Sequence, residues 1–537
     1  MKKIIAIVLS ALLIIALLSA CKNSNDSGGQ NNNTPTPTAP ATTGGANTPG
    51  ATNQPSTPKR EKVTMAIQTD VMSLVPYISR SSNDFTMMNQ MFDGLIKMTT
   101  DGTVYPQVAK KWEVSDDGKE YTFYLRDDVK FHNGDKLTAA DVAFTVELAR
   151  GSPARDFIRK YVDHAEIIDE YTIKLVLLRK SAPFMSDLAG IFRIMPEKAY
   201  NEMGEDGFAA NPIGCGPFEF VSFKQAESLT LRAFKDYYGG PVAFSTLEFK
   251  IIPEASSAFI ALETGEIDLF NYIPTSSIGI AKNNNNLQIH HKYLTGFCTL
   301  GFNLRTAPFD NLLLRQAIAC AIDKEFIVDG AYDGYATPAK TLPNKYFIPW
   351  PESLNDYGFD FDIAKAKDLM AQAGYPDGKG LPTIVLDTQE AYKKTAVIIQ
   401  SNLDAIGIKV DIQINEQSAQ MQKTQNGDFV MYLTSPSLFN DLSIIVDVIG
   451  TTGPLNSTGY SNSRVDDLLS QGLTELDPEK RKVYYEEAIK IFTNEVPFVP
   501  LVHTIQNYAA AKDLDLTDLL TVSGYGPAIR LELLKFK

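Results

Sequence analysis

Hydrophobic and polar positions fall into three regimes along the chain. After Met1-Lys2-Lys3 comes an apolar run, residues 4–18, closed by Ser19-Ala20 and Cys21. Residues 22–60 contain no aromatic residue and no Leu, Ile or Val; Asn, Thr, Pro, Gly and Ala dominate. From Glu61 onward the pattern becomes periodic. Residues 62–67 and 171–177 read as strands, and 121–125 alternates apolar with polar behind the turn Asp116-Asp117-Gly118. Thr138, with Asp141 three positions on, reads as a helix N-cap leading into Val142, Phe144 and Val146. Asp310 is placed to cap a helix through 312–322, and Asp362 a second that stops at Gly374. A third helix, 395–406, should end at Gly407 before a strand over 408–412, and Asp477-Pro478 opens a long amphipathic helix through Val483, Ala488 and Ile491 to Phe492. Strands and helices mixed without a strict alternation, and without a repeat of fixed period, predict α/β or α+β domains.

The N-terminal regime is an address. A basic head, an apolar middle and small residues make a bacterial secretory signal, and Leu18-Ser19-Ala20-Cys21 resembles the lipobox of bacterial lipoproteins. That resemblance implies diacylation of Cys21, which would become the first residue of the mature chain, with residues 1–20 removed. A plain signal peptide with a chance cysteine, or a single anchor helix, is the alternative; the run falls short of the roughly 20 residues of a membrane span. Each buried acyl methylene contributes about 0.8 kcal/mol, so two chains hold firmly. The membrane partner is then the bilayer, reached through diacylglyceryl Cys21, and the location the outer face of the cytoplasmic membrane. Residues 21–60 have nothing to bury and are expected to act as a disordered tether. As a flexible coil of about 40 residues they would average roughly 35 Å end to end.

Composition narrows the body's chemistry. A chain of 537 residues, 44% hydrophobic and 21% charged, suits several globular domains. With 50 Lys+Arg against 64 Asp+Glu the net charge is −14, and 48 − 64 = −16 once Lys2 and Lys3 are removed. An acidic chain lacks the basic surface that nucleic-acid binding needs. Four cysteines are too few for a disulfide scaffold; after Cys21, an odd count (Cys215, Cys298, Cys320) leaves at least one thiol free. No phosphate loop, GxSxG elbow, HExxH helix or CxxC pair is present. Of five histidines only His290-His291 are adjacent, and neighbours on a strand point to opposite faces, which disfavours shared metal ligation. No metal or cofactor is expected. A carboxylate pair for glycoside hydrolysis stays open on spacing alone.

One continuous block carries a resemblance: Trp112-Glu-Val-Ser-Asp-Asp-Gly118, Tyr121-Thr-Phe-Tyr-Leu-Arg126, Val129-Lys-Phe-His-Asn-Gly134 and Leu137-Thr-Ala-Ala-Asp-Val142. Asn211-Pro-Ile-Gly-Cys-Gly-Pro217, Tyr237-Tyr-Gly-Gly240, Leu262-Glu-Thr-Gly-Glu-Ile-Asp268 and Gly301-Phe-Asn303 follow in order. Then come Pro308-Phe309, Leu314-Arg-Gln-Ala-Ile-Ala-Cys-Ala-Ile-Asp323, Ala371-Gln-Ala-Gly-Tyr375, Tyr460-Ser-Asn and Val465-Asp466. In this order they resemble the family 5 solute-binding proteins, receptors of peptide, nickel and oligosaccharide ABC importers. The resemblance implies an α/β, two-lobed, periplasmic-binding-protein-like fold (type II, cluster C) with an extra domain. Domain I would be discontinuous, 61–95 plus 217–295 plus 500–537; domain II would span 96–216 and domain III 296–499. Gly214, Gly216 and Pro217 are expected to serve a crossing between domains through unusual φ and a fixed turn. Arg126, Asp141 and Asp323 are expected in caps or ion pairs.

By the same resemblance, the ligand is enclosed between lobes by hinge closure, with Ser82, Asn83, Gln389, Tyr392, Ser435, Asn440 and Asp441 near the cleft and Phe439 as an apolar or stacking wall. Oligopeptide-binding members carry a Trp and an Asp in a loop after a domain III strand, the Asp pairing with the peptide ammonium. Here that loop reads Thr434-Ser-Pro-Ser-Leu-Phe-Asn-Asp441, without the Trp. Aligning Asn440-Asp441 with the family's later acidic pair puts Leu438 where the anchoring carboxylate would stand. Standard recognition of a peptide N-terminus then does not carry over unless Asp441 serves in a shifted register. The expected function is capture of a small-molecule or oligopeptide ligand and delivery to ABC permease subunits, without catalysis, by a monomer. Oligosaccharide or metal-chelate binding, a sensory or pheromone receptor, and a secreted hydrolase are the rival expectations.

Overall fold

The computed structural model describes residues 60–78, 81–152, 156–436, 441–521 and 529–537; the expected signal, Cys21 and nearly all of the tether lie outside these residues. Two sheets organise the body. The smaller is an antiparallel four-stranded sheet in the order Ala109–Val114, Glu120–Leu125, Thr172–Leu177, Val162–Asp169. Its strand Glu120–Leu125 buries Tyr121, Phe123 and Leu125 and turns the alternate residues outward, as period-two patterning demands. The larger sheet joins, from one edge to the other, Val410–Ile414, Ile384–Thr388, Met431–Thr434, Leu287–Phe302, Phe498–Ala511, Leu269–Phe270, Lys62–Ile67, Thr246–Ile251, Ser228–Ala233 and Phe218–Lys224. Ala336–Pro338 adds beside Phe498–Ala511.

Two strands in that order are far longer than the rest, at 16 and 14 residues. Leu287–Phe302 and Phe498–Ala511 pair antiparallel from Leu287 opposite Ala511 to Gly301 opposite Phe498; the register shifts by one residue between Cys298 and Thr299 and breaks more widely between Tyr293 and Phe297. Cores form on either side of that break. Tyr508 and Ala510 pack with Met65, Phe85, Met88 and the smaller sheet's Phe123. Cys298, Leu300, Val499 and Val502 pack with Leu314, Ile318, Leu386 and Met431 instead. His503, Thr504, Ile505, Gln506 and Asn507 join neither cluster. The ribbon thus has a polar waist. Gly296 occupies it because a Cβ there would stand 2.4 Å from Thr504 Oγ1.

Local elements follow the sequence pattern with instructive departures. Thr138 and Asp141 form a capping box on Ala139–Gly151, and Asp362 and Asp477 cap Ile363–Gln372 and Pro478–Glu495. Asp323 caps Lys324–Tyr332, and Arg126 pairs with Asp128 at 2.6 Å. The helix Leu312–Ala321 is capped by Asn311, not Asp310: Asn311 Oδ1 accepts from Leu313 N at 3.0 Å and Leu314 N at 3.4 Å. Ile408 does not begin a strand; its N–H donates to Leu403 O at 3.0 Å, closing the helix Lys393–Asp404, so the strand starts at Val410. Cys215, Cys298 and Cys320 are all free and buried.

Gly214 and Gly216 serve close approach rather than an unusual φ. Neither has positive φ, but a Cβ on Gly214 would lie 1.9 Å from Met91 O and one on Gly216 2.6 Å from Met91 C. His132 completes this close approach. Its Nδ1 accepts from Gly214 N at 3.2 Å and its Nε2 lies 3.1 Å from Gly216 O, which fixes the Nε2–H tautomer. Burial pushes its pKa down to about 4, keeping the ring neutral. Gly214→Ala should therefore destabilise the body by at least the roughly 1–3 kcal/mol of an overpacked site. Urea unfolding of the variant would check this; an unchanged midpoint would refute the close-approach account.

Candidate functional site

Strand polarity locates the crevice. Leu269–Phe270 runs antiparallel to Phe498–Ala511, with Leu269 opposite Ala510 and Phe270 opposite Ala509, so its continuation moves towards the waist. Lys62–Ile67 runs parallel to it. From the other side, Met431–Thr434 runs antiparallel to Leu287–Phe302, with Thr434 opposite Thr299. It too heads for the waist, where Phe297 N donates to Pro436 O at 3.4 Å. Ile384–Thr388 is parallel to that strand. Carboxyl ends of two sets of parallel strands therefore converge on one polar waist from opposite sides. Crevices outside carboxyl strand ends are where open α/β sheets bind ligands.

Several expected site residues stand on these ends. Asn83, one residue into the helix Ser82–Met91, donates from Nδ2 to Thr69 Oγ1 at 2.6 Å, just past the strand Lys62–Ile67. Ser82 opens the same helix; its side chain lies outside the described residues. Across the waist Gln389 follows Ile384–Thr388, and its carbonyl accepts from Tyr392 N at 2.9 Å in a tight turn. The Tyr392 hydroxyl is hydrogen-bonded with Ser435, the residue after Met431–Thr434; burial pushes its pKa up and Ser435 opposes that shift. Phe439 and Asn440 lie outside the described residues.

Asp441 is placed differently. It is buried, and both of its oxygens face Arg481, at 2.7 Å and 3.2 Å. Oδ1 also accepts from Ser443 N at 2.8 Å, and Oδ2 from Ser186 Oγ at 3.4 Å. Arg481 in turn donates to Gly472 O at 3.1 Å and to the Tyr485 hydroxyl at 3.2 Å. A carboxylate held bidentately by a buried guanidinium already has its counter-ion. Ser186 comes from the helix Phe184–Ile191, beyond the smaller sheet, and Ala182 N donates to Leu473 O at 2.8 Å in the same contact. Asp187 adds a carboxyl beside Asp441 and Asp447; burial first, then those two charges, hold its pKa well above the carboxylate range.

Arg481 and Lys292 were not among the expected residues. Arg481 had a readable signal: with Tyr485, Ala488 and Phe492 it occupies the buried stripe of Pro478–Glu495, where a charge must find a partner. Lys292 is buried at the waist, opposite Gln506. Only its placement in a ribbon core marks it, and that is invisible in sequence. Among the described residues no cluster of three or more His, Cys, Asp or Glu could hold a metal ion.

Known proteins share this arrangement. The family model described as bacterial extracellular solute-binding proteins, family 5 Middle, matches residues 103–442. Heme-binding protein A of Haemophilus influenzae is 26% identical over 450 residues, covering 78% of this chain and 82% of that protein. The glutathione-binding protein GsiB of Salmonella paratyphi A is 28% identical over 481 residues, covering 85% and 91%. The structure of HbpA2 from Haemophilus parasuis superposes with a TM-score of 0.78 at 25% identity, covering 89% of this chain and all of that one.

The Asp187 environment makes a signed prediction. A carboxyl whose folded pKa is raised gives full stability while protonated and loses it as pH rises through that value. Asp187→Asn should thus melt close to the parent at about pH 5 and above it at about pH 8. Melting temperatures at the two pH values check it; a variant less stable at the higher pH would contradict the charge assignment.

Proposed function

The chain belongs to the bacterial extracellular solute-binding proteins of family 5, a two-lobed receptor and not an enzyme, and from that premise we propose that it captures a peptide-like solute for an ABC importer. Anchored through diacylated Cys21, it takes the solute outside the cytoplasmic membrane, closes two lobes around it as a monomer, and presents the closed form to the permease. The lobes are domain I (61–95, 217–295, 500–537) with domain II (96–216), and domain III (296–499). The separate cores on either side of the ribbon support this division. The observation that carries the reading is the convergence of carboxyl strand ends, from both sides, on one polar waist.

The mechanism is differential binding. A guest touching both rims, Asn83 on one and Gln389, Tyr392 and Ser435 on the other, favours the closed form only by its extra contacts there. Contacts of Ser186 with Asp441 and of Ala182 with Leu473, from the proposed domains II and III, support an approach of the two lobes. The peptide class is favoured because the glutathione-binding relative aligns over 85% of this chain. Asp441 is occupied by Arg481, so the peptide is held by groups other than that carboxylate.

Calorimetric titration of the purified protein with a mixed peptide library, beside X-ray scattering, tests this. Peptide binding accompanied by a smaller radius of gyration is expected. Release of a chemically altered peptide, or binding of hemin with no response to peptides, would overturn the peptide reading.

A further inference from the structure

Two separate cores also meet along a seam away from the ribbon. Phe184 and Leu188, from the helix Phe184–Ile191, share a core with Phe123 of the smaller sheet. Ile445, Leu469 and Tyr485 belong to another, built on the helix Pro478–Glu495. Between the two sides, a Cβ on Gly102 would stand 2.8 Å from Ile348 Cδ1, and one on Gly118 3.0 Å from Leu476 Cδ1. Ala182 N donates to Leu473 O at 2.8 Å, and Ser186 Oγ to Asp441 Oδ2 at 3.4 Å. Charge gathers only at the last of these contacts. There Asp187, next to Ser186, meets Asp441 and Asp447 as repelling charges and Arg481 and Lys160 as attracting ones. Arg481 is engaged by both oxygens of Asp441, and Lys160 is exposed. Burial keeps the bordering phenols of Tyr161 and Tyr485 protonated, and the Arg179 guanidinium lies over the Tyr161 ring at 5.6 Å. Lys97 and Tyr105, on the strands Ile96–Met98 and Val104–Pro106 that pack on this helix, are exposed.

We propose that this seam is a proton-operated latch: bringing its two sides together places a proton on Asp187, and parting them releases it, so the receptor closes more readily in acid than in alkaline medium. This rests on the two-lobed reading above and adds a control on the closing step. Asp441 and Arg481 belong to the same side, so their pair stays intact when the seam opens, and Asp187 alone changes surroundings. With the sides apart, its carboxyl is hydrated and ionises in the ordinary carboxylate range. With the sides together, it loses water and faces two further carboxyls while the buried guanidinium is already engaged. Burial first, then those charges, hold its pKa well above that range. The closed form therefore binds one more proton than the open form. Closure strengthens as pH falls through the raised value, and the dependence ends below the ordinary carboxylate range, where both forms are protonated. One proton sets a ceiling of about tenfold in the closed-to-open ratio per pH unit.

The test needs no guest. Spin labels on Glu202→Cys and Lys367→Cys, exposed positions on the two sides, report open and closed distances by double electron–electron resonance in the full chain carrying Cys21→Ser; Cys215, Cys298 and Cys320 are buried. Between about pH 8 and about pH 6 the closed-to-open ratio of the parent should rise several-fold, within the one-proton ceiling. Asp187→Asn should hold a high ratio at both pH values. Ser186→Ala, which loses a hydrogen bond but no titrating group, should lower the ratio and keep its pH dependence. Melting curves confirm that each variant is folded. A parent whose distances ignore pH, or an undiminished pH response in folded Asp187→Asn, overturns the latch. The two-lobed reading survives that result if a mixed peptide library still shortens the distance, and falls with the latch if it does not.

Discussion

Everything in this body is arranged around one ribbon that must stay paired along its length while belonging to two cores. Strand pairing is cooperative and register-specific, because a slip of one residue would turn every side chain to the opposite face. Leu287–Phe302 and Phe498–Ala511 satisfy that demand from Leu287 to Tyr293, over Phe297 and Cys298, and again from Thr299 to Gly301. The larger of the two register shifts, between Tyr293 and Phe297, falls at the polar waist. The same placement orients the parallel strands on each side, since each runs antiparallel to one ribbon strand and so must point its carboxyl end at the break. The convergence of these strand ends is thus a consequence of the pairing pattern.

Elements whose signals are local were legible in the sequence. Alternation in Glu120–Leu125, the capping box at Thr138 and Asp141, and the Asp477-Pro478 start each depend on residues within a few positions. Departures arose where a distant or competing group decided. Asp310 and Asn311 are adjacent side chains of similar capping power, and only backbone geometry chose Asn311. Gly214 and Gly216 were expected to supply an unusual φ, and the structure gives another reason for glycine at both positions. Their missing Cβ leaves room for Met91, more than a hundred residues earlier, a packing fact that no local pattern carries.

For the site, the resemblance supplied positions and the ribbon supplied their relation. Asn83 and Gln389 look unconnected in the chain, yet both follow strands aimed at the same waist. Asp441 shows the limit of reading function from residue type. A lone acid after a strand is a natural partner for an ammonium, but Arg481, 40 residues later, takes both of its oxygens. That pair lies where Ser186 and Ala182 meet Asp441 and Leu473, and Asp187 and Asp447 bring further negative charge there. A neutral Asp187 fits beside these carboxyls where a charged one is repelled.

Net charge, finally, does not decide what the crevice holds. The chain carries −14 overall, which taken alone argues against an anionic guest. Exposed carboxylates act through water and ions, however, and their influence fades within about 8–10 Å at ordinary salt. A charge at the buried waist acts through a far less polarisable medium and is felt at short range. An acidic exterior repels anions weakly and without direction. The exterior charge therefore affects chiefly the rate of encounter and does not set which groups the crevice holds.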